Sequence, residues 1–259
     1  MPKGGSVAKH RRGLPQLDGR PFLTDGGIET WLTFADGIDL PEFAAFPLLG
    51  DDEGTNALRR YYEPYLVLAC ERGLGFVLET PTWRANRDWA DRLGYSADEL
   101  DRLNRRAVAL MEELRDRHER EKPFVISGCI GPQSDGYRPA ERLTATAAES
   151  YHRVQIATFA DTAADMVTAL TLTYTEEAVG IVRAADRTGI PAAISFTVET
   201  DGLLPSGQKL GDAIEQVDAE TGSAAAYFMV NCAHPTHFRH LLDASDPWLE
   251  RLRGVRANA

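Results

Sequence analysis

The sequence predicts an α/β protein on the (β/α)8 barrel plan, and three observations carry that prediction. Short runs that are apolar throughout alternate with longer segments that are apolar at helical spacing, as expected when parallel strands are covered on both faces. The chain has 259 residues, 43% of them apolar, a length typical of one such barrel. The longest irregular stretches follow strand ends, where this architecture builds its sites.

The chain opens on "MPKGGSVAKHRRG". It is basic, but no apolar stretch follows, so residues 1–20 read as a flexible tail and not as a secretory signal. Seven strand runs come next: "PFLTDGG" (21–27), "GFVLET" (75–80), "PFVISGCIGP" (123–132), "ADMVTALTLT" (164–173), "PAAISFTV" (191–198), "AAYFMVNC" (225–232) and "LRGVRAN" (252–258).

The intervening segments read as helices. Residues 55–73 are helical in pattern, with Pro64 expected to kink the helix or to begin a new one. Residues 96–121 start at a Ser cap with an acidic first turn. Residues 144–163 and 175–189 follow, the latter closing at Gly189. The loops 31–54, 133–143 and 199–211 break the rhythm. Strand then helix, repeated with right-handed crossovers, gives a parallel sheet. "DGGIET" lacks the G-x-G-x-x-G spacing of a dinucleotide site.

Seven strands are one short of a closed barrel, and the sequence reads as lacking its last unit. Strands one and seven would then each keep an unpaired edge.

Charge and composition exclude some functions. A net charge of −11 argues against nucleic-acid or membrane-surface binding, which needs a basic face. No run of apolar residues is long enough to span a bilayer. Three widely spaced cysteines, Cys70, Cys129 and Cys232, do not make a disulfide scaffold and fit a reducing cytoplasm. The expected partners are small molecules, with a homo-oligomer possible.

Candidate chemistry gathers at strand ends. Cys232 closes the sixth strand. A thiol there is a zinc ligand, a nucleophile or a small buried apolar group. His234, His237 and His240 follow it, and cap a helix or line the loop more readily than they bind metal. Asp25 ends the first strand before Gly26 and Gly27; it points a carboxylate into the mouth or caps a helix. Glu79 and Thr80 end the second strand and either hold an amino group or bond the loop. Cys129 ends the third, and faces either the mouth or the core. The four lysines, Lys3, Lys9, Lys122 and Lys209, avoid strand ends, which argues against Schiff-base chemistry.

"FLTDGGIET", "ETPTWRAN", "SGCIGP", "PAAISFTVETDGLLPSGQKLGDAI" and "VNCAHP" together resemble, in order, the homocysteine S-methyltransferase family. That family includes betaine- and S-methylmethionine-dependent enzymes and the homocysteine module of cobalamin-dependent methionine synthase. The resemblance implies that residues 21–259 form a homocysteine-binding barrel domain. It implies methyl transfer from a small donor to a zinc-activated thiol, giving methionine. It implies Zn²⁺ on three cysteines, of which Cys232 matches the first; the other two belong to a Gly-Gly-Cys-Cys motif that this sequence lacks. Asp25, Gly26 and Gly27 match the motif that helps hold the amino-acid portion of the substrate. Leu170 and Thr171 stand where the family commonly has Glu-Thr, so either Thr171, Thr173 or Glu79 takes over that contact or the acceptor differs from homocysteine, with Asn231 beside Cys232 also a substrate-binding candidate. Trp31, Trp83 and Tyr137 either cradle a cationic methyl donor or pack loops. A zinc-independent lyase or aldolase, or a non-catalytic truncated barrel, are the rival readings.

Overall fold

The computed structural model describes residues 7–119, 122–135, 142–243 and 245–258. The fold is α/β of the (β/α)8 type, with seven strands among the described residues, ordered in the sheet as in the chain. The chain divides into two compact units, residues 1–130 with 157–166, and residues 131–156 with 167–259. Among the described residues no helix is long and apolar enough to cross a membrane.

The first unit carries β1 (Phe22–Thr24), α1 (Ile28–Phe34), α2 (Asp52–Arg72), β2 (Gly75–Glu79), α3 (Arg87–Leu93), α4 (Ala97–His118) and β3 (Phe124–Ile130). β1 pairs with β2 and β2 with β3, both parallel, with Thr24 opposite Val77 and Glu79 opposite Ser127. All residues of β2 and β3 are buried, the physical origin of their continuous apolar runs.

Helix α2 starts where the Asp51 side chain accepts from Gly54 N at 2.7 Å and stops at Gly73 in the left-handed conformation. It runs through Pro64 as one helix, where the sequence led us to expect a kink or a new start. Tyr61, Tyr62, Leu66 and Ala69, buried on both sides of the proline, hold the helix together despite the missing donor. Ser96 and Glu99 form a reciprocal capping box at the start of α4, as the Ser cap with its acidic turn foretold.

Of the expected tail, residues 7–20 are described, and Lys9, His10, Arg11 and Gln16 anchor them to the rest of the unit. The guanidinium of Arg11 donates to the carbonyls of Ala160, Thr162 and Ala164 at 2.6–3.1 Å. His10 N donates to Asp165 at 2.7 Å. A buried charge at Asp165 and the carbonyls at and beyond the end of a helix need donors, and this segment supplies them.

The second unit holds most of α5 (Ala145–Ala160) and of β4 (Met166–Leu172). It continues with α6 (Thr175–Thr188), β5 (Ala192–Phe196), α7 (Leu210–Thr221), β6 (Tyr227–Asn231), the short α8 (Pro235–Phe238) and β7 (Leu252–Arg256). β4 to β7 pair in order, all parallel, with Ser195 opposite Met229 and Asn231 opposite Arg256. β4, β5 and β6 are buried along their whole length, whereas β7 alternates between half-buried and exposed residues. The Phe196 and Phe228 rings stack at 6.4 Å between β5 and β6. Glu177 of α6 is buried and accepts from Gln133 N at 2.8 Å, with His152 Nε2 at 2.9 Å. Burial first, and the Glu177 charge second, push the nearby Tyr174 phenol well above its ordinary range.

Candidate functional site

The strand ends of the first unit place three of the expected residues on consecutive structures. Asp25 follows β1 and is 3% exposed. It does not cap α1, whose first flanking residue is Gly27 without a side-chain bond. Its Oδ2 accepts instead from Tyr61 Oη of α2 at 3.0 Å. Gly26 lies close under a tyrosine: a Cβ there would lie 2.6 Å from the Tyr65 hydroxyl, so any other residue would have to displace that ring. The chain after Asp25 is therefore pressed against two tyrosines of α2, which fixes the carboxylate.

Glu79 ends β2 buried, and its carbonyl accepts from Tyr62 Oη at 2.7 Å. Thr80 comes next. Its hydroxyl accepts from Cys129 N at 2.8 Å and lies 2.6 Å from Thr82 Oγ1, which donates to the Cys129 carbonyl at 2.7 Å. Since the Thr82 proton goes to that carbonyl, the Thr80 proton goes to Thr82. Thr80 thus ties the loop to β3, and Cys129, 4% exposed, belongs to the core. Trp31 is half-exposed on α1. The Arg84 guanidinium lies 5.1 Å from the Trp83 ring centre, so this ring already meets a cation. Tyr137 lies outside the described residues.

The strand ends of the second unit are built differently. Asn231, 2% exposed, closes β6. Its Oδ1 accepts from Thr171 N at 2.8 Å and from Ser195 Oγ at 2.7 Å, and its Nδ2 donates to Thr171 Oγ1 at 2.8 Å. Three neighbouring strands, β4, β5 and β6, are linked through this one amide. Thr171 has φ +64° and Cys232 φ +52°, a left-handed region that neither a β-branched residue nor a cysteine favours. The pairing of β4 with β5 is irregular between Ala169 and Leu172, so the left-handed Thr171 coincides with a bulge. Cys232 is held by Cys232 N donating to the Arg256 carbonyl at 3.1 Å and by Thr197 Oγ1 donating to the Cys232 carbonyl at 3.4 Å. Its Sγ lies 3.9 Å from Thr171 Oγ1. Leu170 is 7% exposed in β4.

The histidines do what their spacing suggested. His234 caps α8, its Nδ1 accepting from Thr236 N at 3.3 Å. The His237 ring lies 6.0 Å from it, and the His240 ring packs on Gly202. Among the described residues no three His, Cys, Asp or Glu side chains cluster as metal ligands. Cys70 is exposed on α2 and Cys129 is bound into β3. Cys232 therefore offers a single thiolate, and one thiolate does not make the three-cysteine zinc site that the family resemblance implies.

Ser195, Thr197, Tyr61 and Thr82 were not singled out from the sequence. Ser195 left one trace, a hydroxyl inside a strand run that is apolar apart from it and Thr197. Its partner on β6 depends on register, which the sequence does not display.

A family model described as homocysteine S-methyltransferase matches residues 22–259. Among solved structures, the metallated form of the homocysteine methyltransferase MmuM from Escherichia coli superposes with a TM-score of 0.72 at 18% identity, covering 95% of this chain and 95% of that one. The apo form of the same protein gives a TM-score of 0.64 at 20% identity, covering 96% and 94%. At these identities the structural likeness shows the fold. No curated protein matches the sequence.

Proposed function

From the premise that the chain belongs to the homocysteine S-methyltransferase family, we propose that it moves a methyl group from a small donor to the thiol of homocysteine or a related thiol. The observation that carries this reading is the pair of left-handed residues, Thr171 and Cys232, held side by side at strand ends. Backbone strain of this kind costs on the order of 1–3 kcal/mol per residue and persists where a site requires it.

The chemistry is an in-line displacement. A thiolate sulfur forms a bond to the methyl carbon as the bond from that carbon to the donor heteroatom breaks, and the donor leaves with the electron pair. A free thiol ionises near ~8.5, so holding the sulfur ready and excluding water matter more than acid catalysis. Asp25 and Glu79 supply carboxylates for the substrate ammonium group. Gly26 and Gly27 let the backbone approach it, and Thr80 fixes the loop beside Glu79. Within the second unit, Thr171 and Asn231 lie next to Cys232 and are substrate-binding candidates in their own right. Zinc, when bound in this family, activates the thiol. The donors described here do not complete its site, so no step is assigned to it, and metal analysis of the purified chain is expected to show substoichiometric zinc. The free state of all three cysteines supports a reducing, cytoplasmic setting.

The test is direct. The protein is incubated with homocysteine and, separately, with a sulfonium and a quaternary ammonium methyl donor, and methionine is followed by mass spectrometry. Methionine formation with one donor, reduced in Cys232→Ser and reduced by about tenfold or more in Asp25→Asn through a charge-assisted bond lost, is the expected result. No product with either donor, with zinc supplied, overturns the reading.

A further inference from the structure

We propose that Asn231 and Ser195 are positioning residues: braced by Ser195, the Asn231 amide fixes Thr171 in its left-handed conformation so that the Thr171 hydroxyl donates to the sulfur of Cys232. This rests on the methyl-transfer reading only for its purpose, since the geometry stands without it.

The assignment follows from donor and acceptor accounting. Thr171 N can only donate, and it lies 2.8 Å from one end of the Asn231 side chain, so that end is the carbonyl oxygen. The Ser195 hydroxyl at 2.7 Å then donates to the same oxygen. The other end is the amide nitrogen, which donates to Thr171 Oγ1 at 2.8 Å. Thr171 Oγ1 is thereby an acceptor from Asn231, and its own proton is left for another partner. The Cys232 sulfur, 3.9 Å away, receives it. The result is a one-way chain, in which Asn231 donates to Thr171 and Thr171 to Cys232, with Ser195 holding the amide in register.

Burial makes the chain rigid. Ser195 is 0% exposed, and Asn231 and Thr171 are each 2% exposed. A buried amide with both ends bonded cannot flip without leaving donors unsatisfied, a cost comparable to the backbone strain at Thr171 and Cys232. Asn231 is thus the element that keeps a β-branched residue where it would not go alone. The hydroxyl restrains the sulfur and withdraws electron density from it.

The three cysteines provide their own controls for a test. Cys70 is exposed and serves as the reference, while buried Cys129 reports unfolding. The full chain is alkylated with iodoacetamide near pH ~10, where ordinary thiols are ionised, and the three cysteine peptides are followed by mass spectrometry. In Thr171→Val, which keeps the shape and loses the hydroxyl, the rate at Cys232 relative to Cys70 is expected to rise about threefold, the factor set by one weak hydrogen bond. Thr171→Ser restores the wild-type ratio. Ser195→Ala raises it in the same direction but less. Cys129 stays protected throughout. An unchanged ratio in Thr171→Val, or a change of equal size in Thr171→Ser, overturns the proposal. If Cys129 becomes reactive in Thr171→Val, Ser195→Ala decides, and an unchanged ratio there overturns it. Because labelling needs no substrate, a protein that labels as expected but transfers no methyl group refutes the function and leaves this inference intact.

Discussion

Two buried side chains organise the polar interior, Asp165 before β4 and Asn231 at the end of β6, and they are opposites. Asp165 is fully buried and accepts from His10 N, Arg115 Nη1 and Ile126 N at 2.7–3.1 Å. It carries charge, and that charge is paired with Arg115, itself 2% exposed. Neither Asp165 nor these partners has a left-handed backbone. Asn231 is neutral, and both Thr171, which it bonds, and Cys232, which follows it, are strained. The contrast teaches what each cluster is for. At strand starts the polar network is relaxed and serves stability; at strand ends it sustains strain, which the proposed function reads as the mark of a site.

The largest effect tests the first half of that contrast. Asp165→Ala leaves the Arg115 guanidinium buried without its carboxylate, and breaking a buried pair from one side costs about 3–5 kcal/mol. Chemical denaturation should show a loss of that size. Adding Arg115→Met to the same protein should recover most of it, because the stranded charge is gone. A loss under about 1 kcal/mol in Asp165→Ala would mean that the network does not carry stability.

The second half predicts the opposite sign. Cys232→Gly removes a side chain from a left-handed position and should raise unfolding free energy by about 1 kcal/mol, the strain relieved less the entropy that glycine adds to the unfolded chain. Methyl transfer should fall in the same variant. Denaturation midpoints and product formation measured together check both. A variant destabilised by more than about 1.5 kcal/mol, beyond what the lost sulfur acceptor of the Thr171 hydroxyl explains, would show that the φ of Cys232 is not a source of strain, and the distinction between the two clusters would collapse.

The same contrast explains how much was legible in the sequence. The seven strands could be read because β2 to β6 are buried on both faces and so are written as unbroken apolar runs. Helix α4 was readable from its Ser96 cap. Helices α1, α3 and α7 were not; α1 and α7 start without a side-chain cap bond, and α1 and α3 span only seven residues each. At the site, Asp25, Glu79, Asn231 and Cys232 were visible as polar residues at the ends of apolar runs. The strain at Thr171 was not, because a β-branched residue in an apolar run reads as ordinary strand. Ser195 and Tyr61 act across elements, and only folding brings them to Asn231 and Asp25. Hubs of this kind are properties of register and packing.

The smallest effect sets the scale for both clusters. Glu113 of α4 lies on the surface of the first unit, 2.7 Å from Arg59 Nη2 and also bonded to Arg117, with its side chain 33% exposed. The hydrogen bond from Arg59 is the main cause holding its carboxyl below the usual range, against the opposing effect of partial burial. A carboxyl depressed in the folded state contributes stability above its unfolded value of about 4.3 and loses it as pH falls through the folded value. The pair is solvent-screened, so its contribution stays within about 0.2–1 kcal/mol. Unfolding free energies of wild type and Glu113→Gln should therefore differ by no more than that at neutral pH and converge on acidification through the carboxylate range. If Glu113→Gln costs as much as Asp165→Ala, then burial is not what separates a stabilising ion pair from a decorative one in this protein, and Asp165 loses its standing as a structural hub.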